Sequence, residues 1–331
     1  MAQWSDPVEG GVEFPPPHLG LTWRRAQVSD LERMLALAAQ ATTGVNHIRC
    51  EPMMLARLAR LARMNVLPEY SDVIAGFDSE GVMQAFASVI VNHLNTPIVR
   101  AQVEGVISRN WRQKGVGRAV LDWQDGRARQ LAMTVPGATG IQIDSLAEGE
   151  NSELRRLLAA GGFTPAEART FYLANVSQLA QVGREALDTL RAEGFQARPL
   201  AAKDLAQLQE MNNSTTSRSS FLKPAGDEDW RLLIGMINAD ASIVIADSRG
   251  VVAYDLLEEG RRGAGLVRAR GVREGAPELV ARHMFAAHVG LVASRFTELR
   301  ILAGDDDPIV DSLLADGFSP DGTLIRYSIE I

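Results

Sequence analysis

The segment Arg112-Gln113-Lys114-Gly115-Val116-Gly117-Arg118 joins two stretches of different periodicity. Before it, Val99–Ile107 alternates as a strand does. After Gly115, residues Val116, Ala119, Val120 and Trp123 recur at i, i+3, i+4 and i+7, the stripe of a helix packed on a sheet. Two glycines in a strand-to-helix turn let successive backbone N–H groups face one concavity at the positive end of a helix. Phosphate oxygens bind in such places. A tight turn without a ligand is the competing account of Gly115 and Gly117, and Arg112, three residues ahead of the first glycine, favours the ligand. A dinucleotide-binding turn fits poorly: Val120 holds the third glycine position, and no acidic residue follows at about 20 residues. A Walker loop is excluded, since no Gly-Lys-Ser/Thr occurs anywhere in the chain.

An internal repeat organises the rest. Leu21-Thr22-Trp23-Arg24 leads to Ser29-Asp30-Leu31, and Phe195-Gln196-Ala197-Arg198 leads to Lys203-Asp204-Leu205. Each reads as a short strand, a turn, and an Asp at a helix N-terminus, where it caps orphan N–H groups. The endings match as well: Leu157-Leu158-Ala159-Ala160-Gly161-Gly162-Phe163 resembles Leu313-Leu314-Ala315-Asp316-Gly317-Phe318. In both, a helix stops at glycine, where a left-handed C-terminal cap costs least. Matching openings and endings indicate a duplicated domain.

The first copy is expected to run strand 21–27, helices 30–42 and 51–64, strands 71–78, 82–93 and 98–108, helix 115–132, strand 139–146, helix 151–161 and strand 168–176. Ser79-Glu80-Gly81 is a hairpin turn between two of these strands. The second copy repeats the order from strand 195–199 to strand 323–330. The expected class is α/β (α+β), each copy a mixed, mostly antiparallel twisted sheet flanked by helices. Residues 1–20, with Pro15-Pro16-Pro17, form an extended arm. Residues 21–176 form the loop-bearing domain and 195–331 the second. Gln178–Glu193, with Leu179, Val182, Ala186 and Leu190 at helical spacing, supplies a connecting helix over 177–194.

Composition narrows the function. A net charge of −7, with Lys and Arg scattered, argues against nucleic acid. Cys50 is the only cysteine, so no intrachain disulfide forms. That suits a cytoplasmic setting. No apolar run reaches the roughly 20 residues needed to span a bilayer, and the N-terminus lacks the basic and apolar regions of a signal peptide. No Cys/His cluster has metal-ligand spacing, and His283 and His288 do not share a helical face, so no metal is expected.

The pattern Arg-x-x-Gly-x-Gly in this setting, with the order of elements around it, resembles the GNAT superfamily of N-acetyltransferases, duplicated in tandem. The motif covers about a tenth of the chain and the element order most of it. The resemblance implies an acyl-CoA donor, acetyl-CoA first, and a small-molecule primary amine as acceptor. It implies that Arg112, Gln113, Lys114, Gly115, Val116, Gly117 and Arg118 bind the pyrophosphate of coenzyme A. Gly105, Val106 and Ile107 would pair with the pantetheine arm as an added strand. Asn151 would touch the cofactor near its thiol. Arg118 and Arg127 would add charge for the 3′-phosphate, with a solvated surface role as the alternative for Arg127. In the second copy the matching stretch, Arg270-Gly271-Val272-Arg273-Glu274-Gly275-Ala276-Pro277-Glu278, has lost the spacing. Glu274 and Glu278 there would repel a diphosphate, so that copy is expected to be degenerate.

Acyl transfer to an amine needs a base for the nitrogen, a donor for the oxyanion, and a thiolate that leaves as the anion or takes a proton. Glu104, on the strand before the cofactor segment, is the first candidate base and Asp144 the second, with His47 and His93 behind them. A tyrosine seven residues after the helix Asn would serve as acid in many members of the superfamily. Here that position is Leu158, which leaves Tyr172 as a weak candidate and keeps open a non-catalytic acyl-CoA-binding module. The polar run Ser214–Ser220 is either an exposed loop or part of the acceptor site. The chain is expected to act as a monomer or homodimer, without a membrane.

Overall fold

The structure, a computed structural model, describes residues 12–42, 71–92, 97–214, 227–260, 263–307 and 309–331. The helix expected over 51–64, His47, Cys50, His93, the first eleven residues of the arm and residues 215–220 of the polar run lie outside the described residues. In chain order the elements are β1 (Thr22–Arg25), α1 (Leu31–Thr42), β2 (Ser71–Phe77), β3 (Met83–Asn92), β4 (Ile98–Ile107), α2 (Val116–Ala132), β5 (Gly140–Glu148), α3 (Ser152–Ala160) and β6 (Thr164–Asn175). There follow α4 (Val176–Ala192), β7 (Gln196–Pro199), α5 (Leu205–Ser214), α6 (Asp227–Met236), β8 (Ile243–Asp247), β9 (Gly250–Glu259), β10 (Ala264–Val272), α7 (Glu278–Val292), β11 (Glu298–Ala303), α8 (Val310–Ala315) and β12 (Ser319–Glu330). No described helix is long and apolar enough to cross a membrane.

Two compact units emerge: Met1–Ala168 with Leu324–Ile331, and Arg169–Thr323. This differs from boundaries at 176 and 195. The chain's last residues belong to the first unit, and the helix expected as a connector belongs to the second.

In the first unit β1, β2, β3 and β4 pair antiparallel in sequence order. β5 joins parallel to β4, and Leu324–Glu330 of β12 runs antiparallel to β5. Helices cover both faces, which explains why β3 is apolar at seven of its ten positions, on both sides of the strand. Ala85, Ala87, Val89 and Val91 meet Val116, Val120 and Trp123 of α2, and Phe86 and Ile90 meet Leu31, Met34 and Leu37 of α1. The hairpin turn falls where Gly81 was expected to make it, with φ +75°. Asp78 holds the turn by accepting the N–H groups of Glu80 and Val82 at 3.0 and 2.9 Å.

The repeat is physical as well as textual. Arg24 grips Asp30 through two N–H···O bonds of 2.7 and 2.9 Å, and Asp30 accepts the N–H of Gln27 at 2.8 Å. Arg198 grips Asp204 through two bonds of 2.7 Å, and Asp204 accepts the N–H of Ala201 at 2.9 Å. Charge-assisted bidentate pairs of this kind fix geometry as well as adding energy. The endings also coincide. Gly162 and Gly317 take φ +88° and +90°. Phe163 N–H then bonds Leu158 O at 3.0 Å, and Phe318 N–H bonds Leu313 O at 2.9 Å, the Schellman closure.

In the second unit β7, β8, β9 and β10 pair antiparallel in order, β11 joins parallel to β10, and residues 170–175 of β6 run antiparallel to β11. Helix α4 packs on α7 in the core. The spacing put Val182 on the buried face, but it is 39% exposed, and Gly183 takes that place instead. A Cβ on Gly183 would lie 2.5 Å from Gly290 N, and one on Gly290 would lie 2.7 Å from the backbone of Gly183. The two helix backbones touch, and only glycine permits it. Gly290→Val is expected to cost about 3 kcal/mol, the upper end of overpacking penalties, read as a lowered urea midpoint. Val182→Ala, on the exposed side of α4, should move that midpoint little.

Candidate functional site

The last pair between β4 and β5 is Gln102 with Asp144. β4 continues to Ile107 bonded to β3 alone, through Ile107 opposite Ala85. Two parallel strands thus diverge, and the β4 edge from Val103 to Ile107 faces a gap. Gly105 is exposed on that edge. Over the divergence Gln124 of α2, itself buried, donates Nε2 to Ser88 O at 3.0 Å and to Glu104 O at 2.7 Å. This bond ties α2 to both strands where β4 loses β5.

A single 3-10 turn, Arg109–Trp111, leads from β4 into the glycine segment. Ser108 anchors it by donating Oγ–H to Gln84 Oε1 at 2.6 Å. Gln113 has φ +59°, the one positive φ among described non-glycine residues, and Gly115 follows at +83°. That backbone costs energy at a side chain such as Gln113 and is retained where the surroundings over-determine it. Helix α2 then begins at Val116 with no side-chain cap and no acid in its first turn. Among the described residues, none of the N–H groups from Gln113 to Arg118 has a hydrogen-bond partner. Unmet donors at a helix N-terminus, with the helix dipole behind them, are the kind of place where anions bind.

The side chains around it divide in role. Arg112 turns back into the protein: Nε bonds Ile107 O at 3.1 Å and Nη2 bonds Ala41 O at 3.4 Å. It therefore shapes the turn. Gln113 Nε2 bonds Glu153 Oε1 at 3.2 Å. Lys114 lies 5.1 Å from the Trp111 ring centre and is exposed. Arg118 pairs with Asp122 at 3.0 Å and donates to Ala160 O. Asn151 caps α3, its Oδ1 accepting Leu154 N–H at 3.2 Å.

Of the candidate catalytic groups, Glu104 is half-buried on the strand beside Gly105, two residues past the last β4–β5 pair. Asp144 sits at that pair with its oxygens engaged. Gln142 Nε2 donates at 2.9 Å, Ser328 Oγ donates as well, and Arg326 Nη1 lies at 3.4 Å. Arg326 also reaches Glu167 at 3.2 Å. Tyr172 belongs to the second unit, inside its core, where burial and then the Asp305 charge raise its pKa. It does not sit in the loop-bearing unit as expected. Leu158 is in the first unit's core. Arg127 is neither a surface residue nor a phosphate ligand: it is 1% exposed and pairs with Asp72 at 2.7 Å. Gln124, Asp72, Arg326 and Tyr327 were missed, each defined by a partner far away in sequence, for which local pattern carries no signal.

The second unit shows the same divergence without the cradle. β10 and β11 part after Val267 opposite Ile301. Arg270 pairs there with Asp307 and lies 5.9 Å from the Phe285 ring centre. Arg273 reaches back to Asp247 at 2.6 Å, and that hydrogen bond brings the Asp247 carboxyl down to about 2. Helix α7 opens with Glu278 in its first turn.

No family model matches the chain and no curated protein matches it by sequence. Solved structures do. A GCN5-related N-acetyltransferase from Sphaerobacter thermophilus aligns with a TM-score of 0.64 at 15% identity, over 94% of this chain and 95% of its own. A tandem GNAT protein from the clavulanic acid biosynthesis pathway gives 0.65 at 13%, over 94% and 98%. Saccharomyces cerevisiae N-myristoyltransferase with bound myristoyl-CoA gives 0.63 at 12%, over 97% and 81%. At these identities the likeness is one of fold, and that fold is GNAT.

Proposed function

We propose that this chain, with the GNAT fold, is an acyl-CoA-dependent N-acyltransferase that moves a short acyl group, acetyl first, to a small-molecule primary amine. The observation that carries the reading is the row of unpartnered N–H groups from Gln113 to Arg118, beside the β4 edge that β5 has left. The cradle suits a diphosphate and the edge at Gly105–Ile107 suits an extended amide-bearing arm, which pairs with it like a strand. The thioester then lies at the divergence, next to Glu104. Glu104 takes the amine proton, directly or through water, and attack is direct, with no covalent intermediate on the protein. The second unit's occupied divergence and acid-led helix support a role without acyl-CoA.

The test is thermal melting with acetyl-CoA. A ligand at one hundred times its Kd adds about 2.7 kcal/mol, so a clear rise is expected, together with release of free thiol when amines are supplied. No shift at millimolar acetyl-CoA would overturn the reading. A second reading, a non-catalytic acyl-CoA-binding module, is favoured by the apolar Leu158. It gives the thermal shift with no thiol release.

A further inference from the structure

The arm ahead of β1 has a seat on the loop-bearing unit, and that seat includes the glycine turn. Leu21 is 1% exposed in the first unit's core, and Val12 and Leu19 pack against the same core. A Cβ on Gly126 of α2 would lie 3.2 Å from Val12 Cγ1, and a Cβ on Gly115 would lie 3.4 Å from Leu19 Cδ2. At about 3.6 residues per turn, positions 115 and 126 are separated by about three whole turns and open on one side of α2. The arm therefore runs along that side, from the middle of the helix to its N-terminal turn. It is a stiff piece of chain. Pro15 is buried, and the prolines at 15, 16 and 17 each hold φ at about −65°. A single 3-10 turn follows, with Leu19 N–H on Pro16 O at 3.2 Å and Gly20 N–H on Pro17 O at 2.9 Å. Gly20 takes φ +84°, and a Cβ there would lie 3.1 Å from two ring atoms of Trp111. Trp111 ends the turn that enters the cradle, and Lys114 lies over its ring. Arg112 ties the cradle back to Ile107 O and Ala41 O, while Leu19 and Gly20 meet it from the arm. Between these contacts Gln113 is kept at φ +59°, a backbone that its surroundings must impose.

Resting on the acyl-CoA reading, we infer that residues 12–20 are a strap that pre-forms the phosphate cradle, with Leu19 as its positioning residue. A cradle already held in its binding shape has no ordering cost left to meet when the diphosphate arrives. Loosening the strap lets Gln113 relax from its left-handed backbone and turns the row of N–H groups out of line. The effect is confined to the diphosphate. The thioester would lie at the β4–β5 divergence, where Gln124 rather than the arm ties the strands to α2.

The test uses the full chain with Leu19→Ala at the cradle and Val12→Ala at the far end of the strap. Affinity for acetyl-CoA and for inorganic pyrophosphate is measured by calorimetry, and stability by the urea midpoint. Turnover is followed with acetyl-CoA and with S-acetylpantetheine, which carries the thioester without the diphosphate. Leu19→Ala should weaken acetyl-CoA and pyrophosphate alike by about tenfold, equivalent to about 1.4 kcal/mol of lost pre-organisation. Its kcat/KM should fall as much with acetyl-CoA and stay within about twofold of the parent with S-acetylpantetheine, with kcat held for both. Val12→Ala should move affinity the same way by a smaller factor, and it decides the matter if Leu19→Ala does not fold. The affinities alone decide it if the parent releases no thiol. A Leu19→Ala protein with a lowered urea midpoint and unchanged affinity, or an equal fall in kcat/KM with both donors, would overturn the strap. A parent that binds pyrophosphate and not acetyl-CoA would instead overturn the acyl-CoA reading, and the pyrophosphate series would still judge the strap. A parent that binds neither would overturn both.

Discussion

Gly117→Glu is expected to weaken acetyl-CoA binding by at least about 100-fold, equivalent to about 2.8 kcal/mol, while leaving the folded protein as stable as before or more so. The two effects have opposite signs for one physical reason. A carboxylate in the first turn of α2 satisfies the helix dipole, worth about 0.3–1 kcal/mol, and replacing glycine within a helix removes a cost of about 0.5–1 kcal/mol. The same carboxylate would occupy the concavity formed by Gln113–Arg118 and meet the diphosphate of the proposed acyl-CoA donor with like charge. Gly117 has no positive φ, so a side chain is allowed there. Its Cβ would meet only the ends of flexible side chains, Leu157 Cδ2 at 3.2 Å and Ile107 Cδ1 at 3.5 Å. Urea unfolding without ligand and calorimetric titration with acetyl-CoA read the two effects separately. Undiminished affinity in a well-folded variant would mean that the turn is only a turn.

Arg127→Met should cost about 3–5 kcal/mol of stability, the range for removing one partner of a buried ion pair. Arg127 and Asp72 are 1% and 2% exposed, and Arg25 reaches the same carboxylate at 3.2 Å from a partly exposed position. Burial pushes the Asp72 carboxyl up and the Arg127 guanidinium down, each opposed by the partner's charge. Arg127 Nη2 has no partner, so the pair is a costly arrangement that is worse when broken. Without Arg127 the Asp72 carboxyl rises further. A carboxyl raised in the folded state binds protons more tightly there than in the unfolded chain. The variant should therefore be most stable in acid and lose stability as pH climbs above the unfolded value of about 3.9. Asp72→Leu combined with Arg127→Met should recover much of the loss, since apolar replacements of buried pairs are often neutral or stabilising. A flat urea midpoint for Arg127→Met between pH 5 and 8, equal to the parent's, would contradict this.

Arg127 also shows where sequence reading fails. Its position on α2 was correctly placed, but its burial depends on Asp72, 55 residues earlier, within a strand whose polar residue gives no hint of a partner. Val182 and Gly183 make the same point: both suit a helix, and only the close approach of Gly290 decides which faces inward. The Asp30 and Asp204 caps, the glycine-ended helices and the turn before α2 were legible because each depends on residues within about one turn of one another. A left-handed cap calls for glycine, and a short Asp at a helix start meets the nearest N–H, wherever the chain lies.

The order of the described strands and helices, the matching openings and endings of the two copies and the glycine turn before α2 were thus written in local pattern: period, cap and turn chemistry act over a few residues and leave their mark in composition. The tertiary structure alone decided that the final strand completes the first unit, that Tyr172 serves the second, and that Tyr327 meets Arg155 across 172 positions. Strand partners and buried polar contacts are selected by which surfaces fit and which hydrogen bonds close in three dimensions, and a strand carries the same alternation whichever edge it joins.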